Sequence, residues 1–421
     1  MAKAVKVLML VENNPAPDDY RVWAEATTLR KQGFQVSIIC PKGETEYQES
    51  HVCIDDIHVY RYRLLTGSGK ISYIVEYSIA LLLTFWLSLK VFFRHGFDVI
   101  HSANPPDIFF LIGCFYKLLG KKYIFDQHDP APEMFHVIYG NGKNLLYRFL
   151  LFFEYCSYRS ADLVITSNVS QKEFAMKRGH CRPEKVIVVR NGPALQKLQR
   201  ARTTQIEPAL KGGREYLLAY VGVINIQDGV ENALYALDEL VHRRGRQDVS
   251  LVLMGGGDYL PVLYKLAHEL QLEEYINFTG WTAYEDVLRY LAVADVGIIP
   301  DPRNGLSEYC TMLKTMEYMG MGKAIVAFDL AETRYSAGEA ALYAMPNRTE
   351  DLASKIEVLL DDEKLRLTLG AIGRKRVEQE LCWDLTQQNL LLAYQRLFPQ
   401  AFGDTFQEAG SVLDRAIEIH R

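Results

Sequence analysis

The chain has 421 residues, 49% hydrophobic and 24% charged, an ordinary globular composition long enough for two or three domains with their own cores. A formal net charge of −5 gives no reason to expect a nucleic-acid partner. The seven cysteines (Cys40, Cys53, Cys114, Cys156, Cys181, Cys310 and Cys382) are scattered and match neither a disulfide framework nor a zinc ligand set, which points to a reducing cytoplasm.

The first apolar run, VKVLMLV, meets Glu12, Asn13 and Asn14 at once and reads as a buried strand rather than a signal peptide. A helix (YRVWAEATTLRKQG) and a strand (QVSIIC) follow it. Further on come FDVIHS, the helical DIFFLIGCFYKLLG, KKYIFDQHD, ADLVITS and KVIVVRNG. The strands are short and alternate poorly, as expected of parallel strands covered on both faces. Two segments are more apolar than the rest. Tyr77–Leu89 has thirteen uncharged residues, too few to span a bilayer, with Lys90 and Arg94 just beyond, and Asn144–Arg159 is similar. Two readings stand for both: packing in a core or domain interface, and contact with a membrane surface.

The rhythm repeats in the second half with YLLAYVG, a helix near 229–243, VSLVLMGGG, a helix to about Gln271, YINFTG, AYEDVLRYLAVA, DVGIIP, a helix over 307–320, KAIVAF and AALYAM. The polar stretch near 194–214, with a proline and two closing glycines, marks the join. The expected division is a first α/β domain over 1–195, a linker over 196–213 and a second α/β domain over 214–380. An amphipathic helix, WDLTQQNLLLAYQRLF, and a loosely held tail then complete 381–421. Open parallel sheets place their binding loops at the strand C-termini, so two facing domains would line a cleft where two substrates can meet. No glycine follows the first strand (VENNPAPDD), which argues against a dinucleotide fold of the usual kind.

The stretch NGLSEYCTMLKTMEYMGMGKAIVAFD (304–329) concentrates the chemistry. It is expected to form a helix capped by Ser307 or Thr311, whose first turn offers free N–H groups to an anion such as a diphosphate. Lys314 and Glu317, three apart, share a side of that helix, whereas Glu308 would lie about 180° from Glu317. From the residues alone, Glu317 is as well explained by a solvated surface position as by a binding site.

VGVINIQDGVENAL, LVLMGGGDYLPVL, INFTGW, LAVADVGIIPDP and TMEYMGMGKAIVAF, taken in order, resemble the retaining, nucleotide-sugar-dependent glycosyltransferases of the GT-B fold, in their largest bacterial family, family 4. The resemblance covers roughly residues 6 to 395 and is strongest in the second domain. It implies two facing Rossmann-like domains with a cleft between them, the second binding the donor, and a C-terminal helix packing back towards the first. Glu317 then becomes the ligand of the ribose hydroxyls, since a carboxylate accepts two hydrogen bonds from a vicinal diol. The family's other glutamate, eight residues earlier, is replaced by Tyr309, leaving Glu308 or Asp301 to contact the transferred sugar. Val223 and Asp228 stand where the family usually has an arginine and a lysine for the diphosphate, so Lys314 is the expected replacement. Gly222, Gly256, Gly257, Asn304 and Ser307 complete the expected donor contacts.

In the first domain, YIFDQHDPAPEMF places Asp126, His128, Asp129 and Glu133 after a buried strand. The resemblance puts His128 beside the reacting sugar. His101 and Asn104 end the preceding strand, and Asp18, Asp19 and Arg21 precede the first helix. The implied activity is transfer of a sugar, with retention of configuration, from a nucleoside diphosphate sugar (UDP first, GDP second) to a saccharide or lipid-linked acceptor. It is expected to need no metal and no cofactor, because neither an Asp-x-Asp nor an HExxH motif is present and the Asp pairs at 18–19, 55–56 and 361–362 read as surface or cap residues. The expected location is the cytoplasm, with the inner face of the cell membrane as a further setting. A non-catalytic scaffold in a polysaccharide assembly complex and a nucleotide-sugar epimerase are the rival readings.

Overall fold

The computed structural model describes residues 4–43, 45–64, 70–140, 145–203 and 207–402, so the expected tail beyond 402 and part of the expected linker lie outside the described residues. The chain divides into two compact units. The first comprises 1–132, 142–189 and 387–421, and the second 133–141 and 190–386.

In the first unit β1 (Lys6–Leu10), α1 (Tyr20–Lys31), β2 (Gln35–Pro41), β3 (His51–Ile54), β4 (Ile57–Tyr62), α2 (Lys70–Arg94), β5 (Val99–Ala103), α3 (Phe110–Lys117) and β6 (Lys122–Gln127) follow one another. After α4 (Ala131–Tyr139), most of which clusters with the second unit, come α5 (Leu145–Ser160), β7 (Leu163–Thr166), α6 (Val169–Lys177) and β8 (Val186–Val188). The sheet order is β3-β4-β2-β1-β5-β6-β7-β8, parallel except for the β3–β4 hairpin. That hairpin turns on Asp55 and Asp56, whose φ angles of 50° and 60° are the positive pair a two-residue type I′ turn requires.

The second unit runs α7 (Leu195–Thr203), β9 (Tyr216–Val221), α8 (Glu231–Asp238), β10 (Val249–Met254), α9 (Leu260–Glu269), β11 (Ile276–Gly280), α10 (Tyr284–Val293) and β12 (Val296–Ile299). It continues with α11 (Leu313–Gly320), β13 (Ala324–Phe328), α12 (Ala331–Ala337), β14 (Ala341–Ala344), α13 (Thr349–Asp361) and α14 (Glu363–Arg376). Its sheet is fully parallel in the order β11-β10-β9-β12-β13-β14. Alternate residues serve opposite faces. Leu218, Tyr220, Leu251 and Leu253 pack with α8, α9 and α13, while Leu217, Ala219, Val252 and Met254 pack with α10 and α11. Both faces are therefore covered, which is why these strands read as continuous apolar runs.

Two boundaries differ from expectation. The linker region holds a nine-residue helix, α7, whose Leu198 is fully buried against α11 and closes the second unit's core. Arg190 belongs to the second unit, where its guanidinium donates to the Glu332 carboxylate and the Ser336 hydroxyl, both at 3.1 Å. The last helix, α15 (Trp383–Leu397), starts in the second unit, where the Trp383 N–H donates to Pro193. From Gln387 it belongs to the first: Asn389 donates to the Val188 carbonyl at 2.9 Å, and Tyr394 lies 2.9 Å from His101 Nδ1.

Candidate active site

In the second sheet the strand order reverses between β9 and β12, the switch point where open α/β sheets bind their ligands. These strands pair only through Val296–Leu218 and Gly297–Ala219. Beyond that register the Tyr318 hydroxyl bridges them, accepting from the Val221 N–H at 2.9 Å and donating to the Ile298 carbonyl at 3.4 Å. The tyrosine ring fits because position 297 is glycine: a Cβ there would lie 2.4 Å from it. Tyr318 thus anchors α11 at the switch point, and its neighbours Lys314 and Glu317 are placed by that anchor.

The segment before α11 is not the single helix expected over 307–320. One 3-10 turn (Ser307–Tyr309) is followed by extended backbone at Cys310, and α11 begins only at Leu313, after Met312, with no side-chain cap from Ser307 or Thr311. Asn304 explains the break. Its side-chain oxygen accepts from the Leu306 and Ser307 N–H groups at 3.0 Å and the Ser307 hydroxyl at 3.1 Å, folding the loop locally instead of starting a helix. Its amide donates to the Gln227 carbonyl at 3.0 Å, tying this loop to the one after β9. Glu308, in the 3-10 turn, pairs with Arg303 at 2.9 Å. Tyr309 ends the turn and is half-buried.

Lys314, near the start of α11, has its ammonium 2.9 and 3.1 Å from the two Asp301 carboxylate oxygens and 3.4 Å from the Tyr220 hydroxyl. Burial opposes the ammonium, but Asp301, Asp228 and Tyr318 outweigh it and lift its pKa above the ordinary lysine value. Glu317 is buried, and that burial pushes its carboxyl up to about 7 against the Tyr284 hydrogen bond and the Lys314 charge. Asp228 caps the turn after β9, accepting from the Asn225 N–H at 3.0 Å. Val223, where the resemblance expects arginine, leaves its carbonyl to accept from the Tyr220 hydroxyl at 2.8 Å.

The glycines bring three loops together. A Cβ on Gly222 would lie 3.7 Å from the Lys314 ammonium. Gly255 has φ +147°, and a Cβ there would fall 1.8 Å from the Gly222 carbonyl oxygen, so the β9 and β10 loops touch backbone to backbone. Gly256 abuts the Trp281 indole and Gly257 abuts the Ile224 carbonyl. A shallow pocket of about 360 Å³ beside them is lined by Thr279, Trp281, Thr282 and Tyr290 but not by Lys314 or Glu317; the side-chain geometry around α11, not this hollow, marks the candidate site.

In the first unit the ends of β5 and β6 carry a buried charge network. Arg21 donates to Asp126 at 2.9 and 3.2 Å and to the Val189 carbonyl at 2.8 Å, and lies 3.2 Å from Glu25. His101 Nε2 is 3.4 Å from Glu25 and 3.5 Å from Asp126. His128 directs Nε2 to Asp126 at 2.7 Å, donates its N–H to Asn104 at 2.6 Å, and its carbonyl accepts from Gln171 at 3.1 Å. Despite burial, Arg21 and His128 hold Asp126 well below the usual carboxylate range. Burial and the nearby Asp126 charge push Glu25 well up, while burial lowers His101. Glu25, His101 and Asp126 have ligand atoms within 4.8 Å of one another, a metal-like spacing, but the Arg21 guanidinium already supplies the countercharge.

Glu25, Tyr220, Tyr284 and Tyr394 were not among the residues expected from the sequence. Glu25 was visible four residues after Arg21 on one helix face; the tyrosines carried no local signal. The Asp pairs act as turns and caps: Asp19 caps α1, Asp362 caps α14, and Asp56 pairs with Arg30.

Residues 20–197 match the profile described as Glycosyltransferase Family 4, and residues 215–362 match Glycosyl transferases group 1. Over almost its whole length the chain superposes on sucrose-phosphate synthase from Thermosynechococcus elongatus, with TM-score 0.74, 18% identity, and 94% of this chain and 100% of that one covered. The fold is GT-B. The same GT-B architecture is seen in HepE of Anabaena, solved in complex with UDP (TM-score 0.68, 15% identity, 93% and 100% covered). Among curated proteins the chain is 30% identical over 152 residues to the alpha-D-kanosaminyltransferase of Streptomyces kanamyceticus, covering 36% of this chain and 38% of that protein. It is 29% identical over 154 residues to a GDP-mannose-dependent alpha-(1-6)-phosphatidylinositol monomannoside mannosyltransferase of Mycobacterium tuberculosis (34% and 38% covered). These two alignments thus span under two-fifths of each relative's length.

Proposed function

We propose that this GT-B chain is a retaining glycosyltransferase that moves a sugar from a nucleoside diphosphate sugar to a saccharide or lipid-linked saccharide. The observation that carries the reading is the pair Lys314 and Glu317, set by Tyr318 at the switch point of the second sheet within the segment matching Glycosyl transferases group 1. Glu317 as carboxylate accepts from both ribose hydroxyls. Lys314 and the first N–H groups of α11 hold the diphosphate, aided by the open backbone at Gly222, Gly256 and Gly257. Asn304 and Ser307 shape the loop that carries Glu308 and Tyr309 to the transferred sugar. UDP is the favoured base and GDP the second; a UDP complex of a structural neighbour and the GDP-mannose dependence in a relative's name support both as choices.

In the first unit His128, its ring fixed by Asp126, orients the reacting sugar and acceptor. The acceptor hydroxyl attacks the anomeric carbon from the face that the diphosphate leaves. The glycosidic bond forms as the carbon–phosphate oxygen bond breaks, and the departing diphosphate oxygen takes the hydroxyl proton. The chain contributes orientation and stabilisation of the growing charge on that oxygen. No metal or cofactor enters this scheme, and the cytoplasm, where nucleotide sugars reside, is the proposed setting.

One observation favours a second reading. Val223 and Asp228 replace the expected cations and Lys314 is engaged by Asp301, as in a non-catalytic relative that keeps the fold as a scaffold. Incubation with UDP- and GDP-sugars and a saccharide acceptor panel separates them. Acceptor-dependent release of nucleoside diphosphate, with the anomeric configuration retained by NMR, supports transfer. A changed sugar formed without acceptor indicates epimerisation, and no turnover indicates the scaffold.

A further inference from the structure

Three helices of the first unit carry large apolar side chains on their exposed sides. On α2, Val75, Leu82, Trp86, Lys90 and Phe93 recur at helical spacing and are exposed, Trp86 by 71% and Phe93 by 83%. The inward side of the same helix carries Glu76, Thr84 and Ser88 beside Ala80 and Val91, all buried, so its large apolar residues lie mainly on the outer side. An ordinary amphipathic surface helix instead shows polar and charged residues to solvent. α5 repeats the α2 pattern: Leu145, Phe149, Phe152 and Tyr155 face out while Glu154 and Ser157 are buried. α3 adds Leu111 and Phe115, with Leu118 just beyond it 87% exposed.

The three stripes form one surface. Phe85 of α2 meets Phe115 of α3 edge to face at 5.1 Å, Ser88 and Tyr116 hydrogen-bond at 2.9 Å, and Phe110 of α3 lies 6.3 Å from Phe153 of α5. α2 is long and apolar enough to cross a membrane over Val75–Arg94, more than the sequence stretch alone indicated. Its other side packs on β2 and β4, so it lies along the unit rather than projecting from it.

Charge decides what covers this face. Lys90 and Arg94 on α2 and Arg148 and Arg159 on α5 are exposed, and among the described residues of α2, α3 and α5 no exposed position is Asp or Glu. A second copy docked face to face would set these cations against themselves. A bilayer surface instead receives apolar side chains below the headgroups and meets the cations with anionic lipid. We propose that the α2–α3–α5 face rests on an anionic lipid membrane, with Trp86, Phe93, Leu118, Phe149 and Phe152 inserted and Lys90, Arg94, Arg148 and Arg159 on the headgroups. The contact is independent of the reaction proposed above.

Flotation of the full chain with phosphatidylcholine vesicles, with and without phosphatidylglycerol, tests it. The chain is expected to float with the mixed vesicles and far less with phosphatidylcholine alone. Trp86→Glu with Phe93→Glu should cut binding to both at least tenfold. Arg148→Glu and Arg159→Glu should cut only the phosphatidylglycerol-dependent part, by about fivefold for each cation lost. Because charge substitutions can disturb folding, Trp fluorescence quenching by brominated lipid gives a second readout in the unaltered protein, which Trp86→Phe should largely abolish. Two results would overturn the proposal: no flotation on either vesicle, or a dimer in sedimentation velocity that Trp86→Glu with Phe93→Glu dissociates while vesicles bind nothing.

Discussion

The Lys314 ammonium lies 2.9 Å from the Asp301 carboxylate, in a site almost closed to solvent. On the proposed reading, a diphosphate arriving there would compete with an internal anion, and the lysine would be shared between Asp301 and its ligand. Lys314→Met leaves Asp301 buried without a partner and should destabilise the second unit by about 3–5 kcal/mol. Adding Asp301→Asn should recover most of that stability in thermal melts. The double variant should still bind nucleoside diphosphates at least tenfold more weakly than the original chain, whereas recovery of affinity along with stability would remove Lys314 from the donor site.

Glu317, one turn on, should make both stability and, on the proposed reading, nucleotide binding depend on pH. Its value in the folded chain, about 7, is raised from an ordinary 4.5, so the stability it contributes is fully present below 4.5 and is lost as pH rises through 7. Glu12, raised to about 8 by burial and by Glu76, has the same sign, so the comparison with Glu317→Gln isolates one group. Glu317→Gln should flatten the fall in melting temperature between pH 5 and 8 and leave the protein at least as stable at pH 8. The same change should weaken nucleotide binding by roughly 1.5–3 kcal/mol, because the proposed charge-assisted hydrogen bonds to ribose would be lost.

If Glu317 accepts from ribose as proposed, nucleotide affinity in the original chain should rise with pH up to about 7 and level off above it, because the ribose contact needs the carboxylate form. Calorimetry at pH 6 in two buffers of different ionisation enthalpy should register proton release on binding. Equal heats in both buffers would mean that Glu317 does not change protonation when the ligand binds.

Gly255 tests whether the loops after β9 and β10 must touch. Gly255→Ala puts a methyl group 1.8 Å from the Gly222 carbonyl oxygen at an unfavourable φ. We expect a loss above about 2 kcal/mol in urea unfolding of the second unit, from combined backbone strain and displacement. A neutral result would show that the two loops separate freely.

In the first unit Asp126 accepts from Arg21 and His128 at once. Asp126→Asn removes the one carboxylate held charged by both and should cost about 3–5 kcal/mol. Glu25→Gln should cost far less, since burial and the Asp126 charge raise its pKa and so favour its neutral form. Urea melts of the two variants give the comparison, and equal losses would contradict the charge assignment.

The strands of both sheets, apart from the β3–β4 hairpin, were legible in the sequence because parallel strands covered on both faces read as unbroken apolar runs. The hairpin was not, since its turn is Asp-Asp rather than a glycine-containing pair. The late start of α11 was hidden because Ser307 looks like a cap. Only the structure shows its hydroxyl donating to Asn304 instead. Lys314 and Glu317 were legible as neighbours, but Asp301, thirteen residues from Lys314, was not legible as its partner; that contact depends on how the irregular connection from β12 returns to α11. The apolar segments of α2 and α5 were visible, but only the structure shows that their polar residues, Glu76, Thr84, Ser88, Glu154 and Ser157, point inward.

The central claim is a working donor site around Lys314 and Glu317. Calorimetric titration with UDP, GDP and ADP and their glucose, mannose and N-acetylglucosamine forms, run in parallel on Glu317→Gln, tests it most directly. One nucleotide series should bind, and Glu317→Gln should lose at least a factor of ten. Silence across the panel from folded protein, or binding that Glu317→Gln leaves unchanged, would contradict it.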